Sequence, residues 1–254
     1  MVPRPGSGLR PLDWKRNCIV NCPSKVQHKT IPRQWKGAVI EKSDAFRLAE
    51  LFCAHICHDL AGPIGTLVGA LEFVREQQPD SEEAGLAEEA ATDIAQRLKL
   101  LRAAWGRTSE DLDVPRLTTF AAGLMATRKL QVVLGGLDHS LVFPPHAARI
   151  VLNLLLLGAE SIPAGGTMTL SSTARGVLVA IDGPRAGWPS GLATWLMDEG
   201  SAWEALVSGI RHVQGPLTAL LAREHGLRLS MMMPAGAGAD ADGCPPLLLD
   251  LGPQ

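Results

Sequence analysis

Between Cys53 and Pro63 the chain reads Cys-Ala-His-Ile-Cys-His-Asp-Leu-Ala-Gly-Pro, its densest run of side chains with reactive chemistry. His58 and Asp59 form the central pair. An exposed neutral imidazole is a good nucleophile toward phosphorus and forms a labile N–P bond. An adjacent carboxylate can hold one ring N–H, fix the tautomer and raise the basicity of the other nitrogen. Pro63 follows five residues after the histidine. A proline inside a helix removes one backbone hydrogen bond and bends the rod, which lets one part of a bundle move relative to a partner.

The cysteines admit other chemistry. Cys53-x-x-x-Cys57-His58 is one residue too long for a haem-attachment motif, and no export signal precedes it. Cys18 and Cys22 with Cys53 and Cys57 could form a four-thiolate zinc site, but the first pair sits in a stretch without a core pattern. Buried cysteine acting as a small hydrophobe is the better account, and no metal is expected on this chain.

The positioning elements are legible from periodicity. Ser43 and Asp44 read as helix N-caps. Ala49, Cys53, Ile56, Leu60, Ile64, Leu67, Leu71 and Val74 then recur in steps of three and four, a helix period. With His58 at zero on a wheel of about 100° per residue, Leu60, Ile64, Leu67 and Leu71 gather on the far side. His58 therefore points outward from mid-helix. Gly62, Gly65 and Gly69 fall within about 40° of His58 on the same wheel, an arrangement that would let a partner approach closely. Pro79-Asp80-Ser81 breaks the helix. A second follows, with Leu86, Ala90, Ile94, Leu98, Leu101 and Trp105 on one face and Gly106 at its end. Two helices alone bury too little, so two such hairpins are expected to pair as a four-helix bundle in a homodimer.

From about Val114 the pattern turns to mixed α and β. Leu130 to Leu134, Thr167 to Ser172, Val177 to Asp182 and Leu227 to Met233 read as strands, the last of these closing the fold. Pro144-Pro145 opens a helix running to Glu160. Further helices are expected over Leu192 to Met197, Ala202 to Ile210 and Pro216 to His225. The expected organisation is a basic, disordered extension over 1–42, a helical hairpin over 43–107, an α/β domain over 114–233 and a loose tail over 234–254.

Composition narrows the function classes. The 254 residues are 46% hydrophobic with a net charge of −2, so nothing draws the whole chain to nucleic acid or an anionic membrane. The charge is uneven: residues 1–40 carry +7 and the remaining 214 carry −9. No apolar run reaches the roughly 18 residues of a membrane span, and the basic N-terminus lacks the apolar core of a secretory leader. A cytoplasmic location with five reduced cysteines is expected.

His58-Asp59-Leu60-Ala61-Gly62-Pro63-Ile64 resembles the phosphoacceptor box of two-component histidine kinases. The form with Gly before Pro, followed by Gly65 and Gly69, is similar to that of the ChpT-like histidine phosphotransferases. The stretch from Ile150 to Thr167 resembles the first nucleotide-box helix of the kinase ATPase domain. Val213-Gln214-Gly215-Pro216 through Gly226 resembles the ChpT-type C-terminal helix. Leu157 stands where a working kinase carries a second Asn that orients Mg²⁺ with ATP, and its apolar side chain offers no oxygen ligand. Asp182 to Gly187 partly resembles the adenine-binding loop, but no Gly-rich lid follows.

Asn153, Leu157, Glu160 and Asp182 are therefore expected to be a degenerate nucleotide box, their polar members left as remnants at helix and strand ends. The resemblance implies an α+β fold: a dimerising hairpin followed by a degenerate ATPase-like α/β sandwich. It also implies reversible phosphoryl transfer from the receiver domain of a hybrid histidine kinase, through His58, to downstream response regulators. No cofactor is expected on this chain, and Mg²⁺ is expected on the partner receiver. The alternatives are an ATP-dependent sensor kinase and a non-catalytic dimeric scaffold that docks receivers.

Overall fold

The computed structural model describes residues 42–106, 110–125, 129–208, 213–232 and 244–252. The expected basic extension up to residue 41, with Cys18 and Cys22, and the whole stretch from Pro234 to Gly243 lie outside the described residues. From Lys42 onward the chain forms one compact unit.

Helix α1 runs over Lys42–Gln77, 36 residues, or about 54 Å at 1.5 Å per residue. It already includes Lys42, so Ser43 and Asp44 lie in the first turn rather than at the cap. A polar pair at a helix start locates the boundary only to a residue or two. The break at Pro79 is a short turn in which the Ser81 amide donates to the Gln78 carbonyl (3.1 Å). Helix α2 then spans Glu82–Trp105. The Ser81 hydroxyl accepts from the Ala84 amide, Glu82 and Glu83 sit at the positive end of the helix dipole, and Gly106 closes the other end. Arg75 and Glu88 pair across the hairpin at 3.0 Å.

The hairpin does not bury the stripe its periodicity suggests. On α2 the buried residues are Ala84, Ala91, Leu100 and Ala104, whereas Leu86 is 61% and Ile94 51% exposed. Ile56, Leu60, Leu67, Phe73 and Val74 of α1 are exposed as well. Both helices thus carry a second face of large apolar side chains that the described residues leave exposed. A helical period detects such a face but does not say which partner it meets.

Beyond the hairpin, β1 (Leu112–Asp113) pairs antiparallel with β3 (Val142–Phe143), and helix α3 covers Val114–Met125. The main sheet has five strands: β2 (Leu130–Gly136), β4 (Gly166–Thr173), β5 (Gly176–Asp182), β6 (Arg228–Met231) and β7 (Leu247–Asp250). Their order is β2-β4-β5-β7-β6; β2 and β4 are parallel and the other pairs antiparallel. Helices α4 (Pro145–Glu160), α5 (Leu192–Met197), α6 (Glu199–Ser208) and α7 (Gln214–Glu224) complete the fold.

Strand β7 corrects the expectation of a loose tail over 234–254, and β6 is not the last strand. Leu247, Leu248 and Leu249 are buried, with Leu249 opposite Val177 on one side and Leu229 on the other. Four residues after a Gly/Pro-rich stretch carry too little pattern to register as a strand, and it is pairing on both edges that holds them.

Helix α4 is the centre of the core. Residues 147–159 are all buried, as expected for a helix apolar on every side. Gly158 allows it to lie close on the sheet, since a Cβ there would overlap the Met168 sulfur. Phe143, Leu117, Leu124, Met168 and Leu170 pack into the same cluster.

Candidate functional site

His58 is exposed and sits on α1 directly after Cys57, which is 4% exposed. The imidazole is thus carried on a helix anchored by its neighbour. Gly62, Gly65 and Gly69 are exposed too, and a Cβ built at any of them meets nothing within 4 Å. Among the described residues no helix packs on that stripe. The Thr66 hydroxyl donates to the Gly62 carbonyl at 3.1 Å. Asp59 and Pro63 belong to α1, but their side chains lie outside the described residues.

The residues of the expected nucleotide box do not converge. Glu160 and Asp182 are exposed, at the end of α4 and the end of β5. Leu157 is fully buried in the core. Asn153 is not a remnant at a helix end: it lies mid-helix, fully buried, and is wired to its surroundings. Its Nδ2 donates to the carbonyls of Ala104 and Arg149, both at 2.8 Å. Its Oδ1 accepts from Gln214 Nε2 at 2.8 Å. Gln214 Nε2 also lies 3.2 Å from the Asn153 carbonyl and 3.2 Å from Thr218 Oγ1, and that hydroxyl donates to the Gln214 carbonyl at 2.7 Å.

The amide that a nucleotide-binding helix would turn to a ligand is thus consumed by protein carbonyls and by Gln214. Arg149 and Thr218 carry no sequence expectation, and Gln214 only that of a helix motif. The one available signal was the four-residue spacing of Arg149 and Asn153, which puts two polar groups on one face of an otherwise apolar helix.

On the face of α1 turned away from His58, an apolar cavity of about 530 Å³ lies between the hairpin and α6–α7. Cys53, Ile56, Leu60, Trp105, Trp203 and Leu217 are among its lining residues. Cys53 and Cys57 place their sulfurs 3.9 Å apart. Burial first, and then the Cys57 thiol beside it, push the Cys53 thiol up to about 11, so it is held as an unreactive thiol at neutral pH. Among the described residues no group of three or more His, Cys, Asp or Glu is placed to hold a metal ion. Among them, too, no helix is long and apolar enough to cross a membrane.

Residues 115–236 match the model of the histidine phosphotransferase C-terminal domain. The chain is 26% identical over 194 residues to the protein phosphotransferase ChpT of Brucella abortus (strain 2308), a match covering 74% of this chain and 90% of that one. Residues 115–236 are thus similar to a histidine phosphotransferase domain, and most of the chain is similar to a ChpT-type protein phosphotransferase. A solved structure of a bacterial phosphotransferase has the same fold, with a TM-score of 0.52 and 18% identity over 81% of this chain and 94% of that one. In this chain the matched segment begins inside α3 and takes in α4, α7 and four of the five sheet strands, leaving out β7. The hairpin that carries His58 lies before it.

Proposed function

We propose that this protein relays phosphoryl groups through His58. The observation that carries the reading is an exposed histidine, mid-helix on a long hairpin, in front of a phosphotransferase-type domain whose nucleotide box is closed by its own side chains. The imidazole nitrogen attacks the phosphorus of a phospho-aspartate on the receiver of a hybrid histidine kinase. The N–P bond forms as the P–O bond breaks, and the aspartate leaves as a carboxylate. The same steps reversed pass the group to an aspartate of a downstream response regulator. Mg²⁺ is held by the receiver, and this chain supplies a positioned nucleophile.

Asp59 orients the imidazole and Pro63 gives the helix a point of bending. Gly62, Gly65 and Gly69 form the face on which the receiver rests. The exposed apolar side chains of α1 and α2 pair with those of a second copy in a four-helix bundle, so the working form is a homodimer. The protein works in the cytoplasm, in a relay of the kind that governs the cell cycle, with no membrane or nucleic-acid partner.

The test is incubation with a phosphorylated receiver followed by an assay for acid-labile label. Wild type is expected to take up label and His58→Ala none. Absence of label on wild type would leave only the reading as a receiver-docking scaffold. The reading as an ATP-dependent kinase is opposed by Leu157 and by the bonds that occupy Asn153.

A further inference from the structure

The last turn of an α-helix leaves carbonyls without intrahelical partners. At the end of α2 two of these are taken by side chains of α4. Asn153 Nδ2 donates to the Ala104 carbonyl at 2.8 Å. Arg149 Nε donates to the same oxygen and its Nη2 to the Trp105 carbonyl, each at 3.3 Å. A cation at that end also interacts favourably with the helix dipole. Asn153 in turn accepts from Gln214 in the first turn of α7. One fully buried amide therefore ties together the end of the hairpin, the central helix of the α/β core and the start of α7. Elsewhere α4 packs through apolar side chains. A buried amide in such a place must be satisfied on every side, and it contributes geometry that a leucine would not.

The tie lies level with the reacting group along the hairpin, on the side of α1 turned away from the imidazole. His58 is nineteen residues before the end of α1 at Gln77, and Leu101 is nineteen residues after the start of α2 at Glu82. In an antiparallel hairpin those two positions are level. Ala104 is three residues further along, about 4.5 Å of helix rise. Cys57, Leu60, Leu101, Trp105 and Arg149 accordingly line one cavity. A partner domain of about 100 residues has a radius of gyration near 13 Å, so one seated over His58 extends well past this junction. In-line transfer also needs the reacting atoms within about 3–3.5 Å.

We propose that Asn153, with Arg149 and Gln214, is a positioning residue for phosphotransfer. The clamp fixes the α/β domain against the hairpin, so that a docked receiver meets both surfaces in one register. This rests on the reading of His58 as the phosphoryl carrier. The α/β fold then contributes a rigid support behind the helix that carries the histidine, and the box that would hold a nucleotide is what fastens it.

The experiment compares two phosphodonors on the full chain: phosphoramidate, which needs only an accessible imidazole, and a phosphorylated receiver, which needs the whole docking surface. The variants are Asn153→Ala, Arg149→Lys and the double change Asn153→Leu with Gln214→Met. The double change removes both members of the central hydrogen bond, leaves apolar groups of similar size and is expected to fold. Labelling by phosphoramidate should stay within about twofold of wild type, while transfer from the receiver falls by about 10- to 100-fold, mainly through KM. Small-angle scattering should show a larger radius of gyration in the variants. Receiver transfer at the wild-type rate in the folded double variant would overturn the proposal. So would loss of labelling from both donors in parallel with loss of helix content, which would mark the clamp as merely structural. Wild type that takes label from neither donor would instead refute His58 as the carrier.

Discussion

The hairpin and the α/β domain treat their side chains in opposite ways. The hairpin leaves large apolar residues, three glycines and a histidine exposed, and buries mostly alanine on α2. The α/β domain buries nearly everything on its central helix, including an asparagine and an arginine, and satisfies Asn153 internally. Surface left open along a helix is available to other molecules, whereas a polar group closed into a core can act only on the fold. The difference teaches that one chain can keep an open helical surface beside a domain whose buried polar groups are satisfied internally.

The strongest way to break this contrast is at the histidine. His58→Ala should abolish phosphate uptake while leaving the proposed dimer and the melting temperature essentially unchanged, because an exposed side chain contributes little to stability. Light scattering alongside the labelling assay checks both halves. Retained label would move the chemistry elsewhere, and loss of the dimer would mean that His58 is structural.

Next comes the uncovered apolar face. Leu67→Glu should convert the dimer to monomer, since it places a charge where two apolar faces are proposed to meet. A monomeric wild type in sedimentation, or a variant that stays dimeric, would show that the stripe is covered by something other than a second copy.

A smaller effect is expected at the glycines. Gly65→Leu and Gly69→Leu enter open space on an exposed helix face, where replacing glycine favours the helix by up to about 1 kcal/mol. Melting temperature should hold or rise while transfer from the receiver slows. A drop in both would place these positions in a packed interface of the dimer. The smallest expected signal is from Mg-ATP. Titration calorimetry should register no binding in the micromolar range, and a clear isotherm would show that Asn153 can leave its protein partners for a ligand.

Much of the architecture was legible in the chain. The helical hairpin with its break at Pro79, the strand of 130–134, the helix opened by Pro144-Pro145 and the 192–197 helix follow from periodicity and from proline and glycine signals, which are local. The outward placement of His58 follows from the same wheel, and the structure leaves that residue exposed. Sequence could not assign β7, because Leu247–Asp250 are strand only by virtue of β5 and β6 on either side. It could not tell the two faces of the hairpin apart, because an alanine face and a leucine face repeat with the same period and only packing chooses between them. Nor could it reveal the role of Asn153. The residue type suggested a remnant of nucleotide binding, but its hydrogen bonds reach Ala104, 49 positions away, and Gln214, 61 positions away. What the sequence determined by itself was which side chains could react and which segments would be regular, since both depend on residues a few positions apart. What only the tertiary structure decided was where the polar groups of the core are spent, because a hydrogen bond between distant segments exists only once the chain has folded.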